Sequence, residues 1–321
     1  MNQQSLIPDY IKNDRSPLDI HVYSDEIKSF TNSLGERWMY IGFVVIPGPR
    51  YDEACLVLEN LRRDVGYNNE LHFSQLRNYS DSHQHNKKTL LAKRWTEAVL
   101  YDDKKIFHYH LLGINLNNIQ EKAFGDKGPE QKLNMYSRLY RSSILYSLKS
   151  FFPGRQVRVA IYHDKENSLQ QHERFDWYNI RLIDSAEENI SFLNPHVEFV
   201  DSDHQKELRF PQASHFIQLC DILTGGISHV LDARNDKDGC NEIAQLLVPL
   251  VKRLTDPRER RNPNSRFSHH QRLSLSFFPS KRLKPKELHD PNKRLTSGFY
   301  ITRPLLFVER QSGQMRLSFD T

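Results

Sequence analysis

The sequence predicts an α/β fold in which helices flank a mixed sheet and a basic extension follows at the C-terminus. Two apolar stretches near the start, at about 19–27 and 37–46, form a hairpin-like pair of strands. After them, strand-like runs alternate with segments of helical spacing, which places helices on the faces of a sheet. The last third then turns basic. Lys252 to Arg294 holds thirteen Lys/Arg against four Asp/Glu, an excess of +9 that leaves −4 for the rest of a +5 chain.

Residues 1–18 read as a lead-in that includes Pro17. The first strand follows, and the second is closed by Pro47-Gly48-Pro49. Ala54, Leu58, Leu61 and Val65 set a helical period over 51–65. The stretch 74–86 is polar and turn-like, and 87–101 is a second amphipathic helix. Lys105 to Ile114 reads as a strand, 130–150 as a helix, 156–163 as a strand and 169–185 as a helix. A strand at 196–201 precedes helices at about 212–232 and 240–255. A last strand-like run covers 299–308. This division gives a catalytic domain over 19–235 and a helical, then basic, extension over 236–321.

With 38% hydrophobic and 11% aromatic residues, the 321-residue chain can build a substantial core. It has no 18-residue apolar run, so no membrane span is expected. The opening MNQQSLIPDYIKND lacks an apolar signal core, which argues against secretion. Cys55, Cys220 and Cys240 are far apart and odd in number, which excludes a disulfide framework and a Cys-rich zinc site and fits the cytoplasm. There is no G-x-S-x-G, no recognisable catalytic cysteine and no Gly-rich phosphate loop. An acidic body with a basic C-terminal segment suits a polyanionic partner; a solvated tail is the alternative.

Four acidic segments stand out: Tyr23-Ser24-Asp25-Glu26, Asn69-Glu70-Leu71-His72-Phe73, Ile161-Tyr162-His163-Asp164 and Gln218-Leu219-Cys220-Asp221. Each adjoins an apolar run, where a carboxylate is costly unless it is paired, hydrogen-bonded or bound to a metal. Strand alternation sets His21, Tyr23 and Asp25 on one face and Ser24 on the other. Asp25 and Glu26 therefore point apart, and Asp25 is favoured as the site acid. Asp164 ends a buried strand, where ligands bind in α/β sheets. Asp221 lies on a helix that is apolar almost all round, within a narrow polar strip of Ser214, Gln218, Asp221 and Gly225. That strip reads as the lining of an internal polar cavity, with a buried Asp–Arg pair as the alternative. Glu70 taken alone reads more readily as a solvated loop residue than as a site acid. His108 and His110 share a strand face but lack a third ligand at motif spacing, so they read as packed histidines.

The order of these motifs resembles the domain-of-unknown-function family numbered 3800, over about residues 19–232. The resemblance is carried by a strand ending in Asp-Glu, a downstream Glu-Leu-X, a strand ending in Asp, and a helix reading Gln-Leu-X-Asp-Ile-Leu. It implies a ribonuclease H-like fold and a metal-dependent nuclease, a kind often found near mobile-element and antiviral defence genes. Asp25, Glu70, Asp164 and Asp221 would be the catalytic and metal-binding residues, with Glu26 and His72 as secondary candidates. The implied cofactor is Mg²⁺ or Mn²⁺ in a two-metal site. This chain departs from the family at Ile27-Lys28, where Ser-Gly is usual, and at His72, where Lys is usual.

The function this points to is hydrolysis of RNA or DNA phosphodiesters. Lys165, Gln218, Arg258, Arg260 and Arg261 are the expected substrate contacts. The alternatives are a catalytically impaired binding module for nucleic acid or protein, and a metal phosphohydrolase for small phosphoesters. A homodimer or a protein partner remains open.

Overall fold

A computed structural model describes residues 16–77, 83–119, 121–126, 128–165, 180, 188–256, 272–280, 283–288 and 303–319. The sheet has seven strands: β1 (Leu18–Thr31), β2 (Arg37–Pro47), β3 (His108–Asn115), β4 (Val157–Asp164), β5 (Ile190–Phe192), β6 (Glu198–Val200) and β7 (Leu273–Phe278). Their order is β5-β4-β1-β2-β3-β7, with β6 also paired to β4. The first three strands form an antiparallel meander, β4 lies parallel to β1, and β5, β6 and β7 each pair parallel to a neighbour. The expected mixed sheet is present.

The central strand β2 shows why. Residues Tyr40 to Pro47 are all buried, as a strand covered on both faces requires. Ile41, Phe43 and Val45 enter a core with Ile20, Val22, Val159 and Ile161. That core is closed by Tyr136, Tyr140, Ile144 and Leu148 of a helix over Pro129–Phe151. Tyr40, Val44 and Ile46 enter the opposite and larger core. Helices over Tyr51–Val65 (α1), His83–Leu100 (α2), Pro211–Asp232 (α4) and Asp238–Thr255 (α5) cover that face; the Pro129–Phe151 helix is α3. Gly66 ends α1 in the left-handed region at φ 65°, its N–H donating to the Arg62 and Arg63 carbonyls at 3.0 Å. Gly42 of β2 lets α4 seat against the sheet, because a Cβ there would stand 1.9 Å from Thr224 Oγ1.

Three sequence expectations need correction. The described parts of the expected extension pack on the sheet and its helices. β7 pairs with β3 from Tyr109↔Leu273 to Ile114↔Phe278, and α5 packs on α4. One of the basic segment's cations, Arg272, is 1% exposed and donates to the carbonyls of Val99 and Leu100, capping the end of α2. Second, the strand-like run at 299–308 is not a strand where it is described: a helix, α6, covers Leu306–Phe319, beginning just past Pro304. Third, β5 and β7 lie in stretches not read as strands. The helix expected at 169–185 falls almost wholly outside the described residues. No helix among those described is long and apolar enough to cross a membrane.

Candidate active site

Strand pairing brings two acids together. β1 and β4 run parallel from Leu18↔Val157 to Ser24↔His163, and one residue further on β4 pairs with β6 instead, at Asp164↔Val200. Asp25 and Asp164 thus stand where the two strands part, on the face covered by α4. Tyr23, two residues before Asp25, packs there against Phe216. Glu26 points to the opposite face, toward Tyr136 of α3, as alternation requires.

Asp221 reaches the same place from α4, and it arrives with a loop attached. Its Oδ2 accepts a hydrogen bond from the Phe73 N–H at 2.8 Å, and His72 Nδ1 lies 3.4 Å away. His72 Nε2 is 2.9 Å from Glu70 Oε1, which also accepts from Ser202 Oγ at 2.5 Å. The His72 ring therefore bridges two carboxylates. Those contacts, with Asp221 foremost, push its pKa up to about 10, so it stands as an imidazolium. The same bridge, His72 first, pulls Glu70 below the usual carboxylate range.

Among the described residues no cation bridges Asp25 or Asp164 in this way; Asp25 Oδ1 accepts from the Glu26 N–H at 2.7 Å, and Asp164 is drawn down only by Ser202 and the more distant charge of His72. Burial, then the charges of Asp221 and Asp164, lifts Asp25 well above the ordinary carboxylate range. Burial, then Asp221, lifts Asp164 to about 7. Asp164 Oδ1 is buried and accepts no hydrogen bond. Four carboxylates thus meet with one imidazolium among them. An all-carboxylate donor set suits a hard divalent cation, and a buried unpartnered oxygen is what such a cation would satisfy. Among the described residues no group of three or more His, Cys, Asp or Glu side chains is set to hold a metal ion. The imidazole of His72 lies between Glu70 and Asp221 instead.

The polar strip on α4 is not an open cavity but the seat of the chain's own loops. Ser214 Oγ donates to the Asp201 carbonyl at 2.6 Å. Gly225 accommodates Phe73, whose Cγ would lie 2.2 Å from an added Cβ. Gln218, expected to contact substrate, faces the protein's own loops. It is 1% exposed, with Oε1 accepting from Arg62 at 2.6 Å and from the Leu71 N–H at 3.1 Å, and Nε2 donating to the Ser202 carbonyl at 2.5 Å. Its hydrogen bonds are spent on holding the Glu70 loop and Ser202 against the helix.

Lys165 is exposed, and its N–H donates to the Val200 carbonyl at 2.8 Å. Arg258, Arg260 and Arg261 lie outside the described residues. His108 and His110 are packed histidines. His110 contacts the hydroxyls of Ser274 and Ser276 at 2.8 and 3.2 Å, and burial pulls His108 down to about 3.

Two residues of the site escaped sequence reasoning. Arg62 donates to the carbonyls of Tyr67 and Asn69 at 3.1 and 2.8 Å, with its guanidinium 4.9 Å over the Trp95 ring. Its signal was position: an arginine between Leu58 and Val65 on the apolar side of α1 is placed to be buried. Ser202 had no comparable signal, being one serine in a polar loop. No protein-family model matches the sequence, and no curated protein matches it.

Proposed function

We propose that the chain is a metal-dependent nuclease that hydrolyses RNA or DNA phosphodiesters. The observation that carries the reading is the meeting of Asp25, Asp164 and Asp221, from two strands and a helix, with too little positive charge to balance them. Burying like charges this way is costly, and a structural role would have supplied an arginine or lysine. Mixed-sheet topology and the order of the acids agree with the ribonuclease H-like arrangement that the resemblance implies. Asp25, Asp164 and Asp221 would hold Mg²⁺ or Mn²⁺, which in such sites activates water and stabilises the leaving oxygen.

The protein's own groups have definable parts. Glu70 and Asp221 fix the His72 ring from both sides and keep a proton on each of its nitrogens, so the ring offers donors rather than a base. Arg62 and Gln218 hold the backbone of residues 67–71, and with it Glu70, at a set distance from α4. Asp164→Ala and Asp221→Asn are each expected to abolish Mn²⁺- or Mg²⁺-dependent cleavage of labelled oligonucleotides while the circular dichroism spectrum stays native. Cleavage persisting in both variants would remove the assignment.

A second reading is favoured by one observation, the imidazolium lodged between Glu70 and Asp221. It suits an impaired site on a scaffold that binds nucleic acid or protein without turning it over. Salt-sensitive binding with no turnover under any divalent metal would select it.

A further inference from the structure

A pocket of about 370 Å³ lies beside the carboxylates, lined among others by Tyr67, Asn69, Gln75, Arg77, Lys88 and Lys237. Three of its lining residues are cationic and none is acidic. The same loop builds both places. Tyr67 Oη donates to the Glu70 carbonyl at 3.2 Å, while Phe73, next to Ser74 and Gln75, donates to Asp221. Lys88 of α2 feels the charges of Glu70 and Asp221 as well as those of Arg77 and Lys237.

The cations are held in place. Lys88 Nζ donates to Gln75 Oε1 at 2.6 Å, and Lys237 Nζ to the Ser74 carbonyl at 2.6 Å. Each ammonium has further protons to donate. Gly239 lets the start of α5 close against this loop, since a Cβ there would meet Thr89 Oγ1 at 2.7 Å and the Arg77 carbonyl at 3.0 Å. Without that approach Lys237 would stand away from Lys88. Three like charges gathered in one recess repel one another, and a bound anion would relieve that repulsion directly.

We infer that this pocket takes a backbone phosphate of a nucleic-acid strand, one beside the phosphodiester placed at the carboxylates. The inference rests on the nuclease reading for its substrate class. The volume exceeds what one phosphate needs and leaves room for the adjoining sugar. Tyr67 adds an aromatic side chain to the lining, the pairing of cation and ring that single-strand binders use. Arg77, Lys88 and Lys237 are thus positioning residues that set where the strand lies relative to Asp164 and Asp221. They read no sequence, because phosphate contacts fix register without specifying bases.

The test uses the full chain and a fluorescein-labelled single-stranded oligonucleotide, as DNA and as RNA. Binding is followed by anisotropy without divalent metal and cleavage in Mn²⁺. The double variant Lys88→Gln/Lys237→Gln is expected to bind about tenfold more weakly and to lose about one unit from the slope of log K against log salt. Its KM should rise in step, with kcat at saturation within about twofold of wild type, as loss of uniform binding requires. Should the double variant not fold, Arg77→Gln, at an exposed position, carries the same expectation at smaller size. The charge-keeping pair Lys88→Arg/Lys237→Arg should retain the salt slope. If the wild type cleaves and the variants bind with unchanged affinity and slope, the pocket is wrong and the nuclease reading stands. If the variants weaken binding but nothing cleaves with any metal, the nuclease reading fails and the pocket stands. A wild type that binds no oligonucleotide overturns both. Inorganic phosphate displacing the strand at a concentration equal to the strand's own would also overturn the pocket, reassigning it to a free anion.

Discussion

Helix α4 carries two aspartates toward the sheet about three turns apart, and they are treated in opposite ways. Asp232 is 2% exposed and fully provided for. It accepts from Tyr40 Oη and from Arg303, and from Asn32 Nδ2 at 2.9 Å. Arg303 in turn sits 3.8 Å from the Trp38 ring centroid and also faces Tyr40 and Phe277. Asp221 meets Asp25, Asp164 and Glu70; among the described residues His72 is the cation in direct contact with them, with Lys88 and Arg234 acting from further off. On the proposed reading, the difference separates a structural acid from a functional one on a single helix. Where the fold needs only stability, the charge is neutralised by its own arginine. Where the described residues leave it short of positive charge, the proposed reading has a metal ion supply what is missing.

The largest effect that tests this contrast is on stability. Asp232→Ala leaves Arg303 buried and unpaired, and is expected to cost about 3–5 kcal/mol in urea unfolding. Asp164→Asn removes a repelled charge and should leave the metal-free protein as stable as wild type or more so. Equal losses in the two variants would erase the distinction.

A smaller effect is the response to pH. Asp164 and Asp25 have raised pKa values, so between about pH 4 and 7 the folded protein holds protons that the unfolded chain has released. Metal-free stability therefore falls as pH rises through that window. His72 adds to the fall above it, since stability from its raised pKa is lost as pH climbs from 6.5 toward about 10. The Tm of metal-free protein should drop from acid to neutral pH, and the drop should shrink in Asp164→Asn. A profile unchanged by that substitution would show Asp164 to be ordinary.

Much of this was legible in the sequence, and the failures have physical causes. β1, β2, β4 and helices α1, α3 and α4 were readable because both periods, two and 3.6, ran long enough to repeat. Alternation alone put Asp25 and Glu26 on different faces. β7 was hidden because Leu273, Leu275 and Phe277 alternate for only six residues inside a basic, proline-punctuated stretch. Aromatic and β-branched residues at 299–308 suggested a strand, but Pro304 breaks that run and the helix starts just beyond it. The surroundings of Gln218 were not legible, for a different reason. A polar strip on an apolar helix says that something polar will face it, not whether that is a ligand or the chain's own loop.

The most direct test of the charge-deficient site is a crystal of the wild-type protein soaked in Mn²⁺ at alkaline pH, above the value of about 7 to which Asp164 is raised. The account predicts anomalous density coordinated by the carboxylates of Asp25, Asp164 and Asp221, with metal–oxygen distances of about 2.1 Å. Absence of density there, with those carboxylates unmoved and the His72 bridge intact, would contradict it.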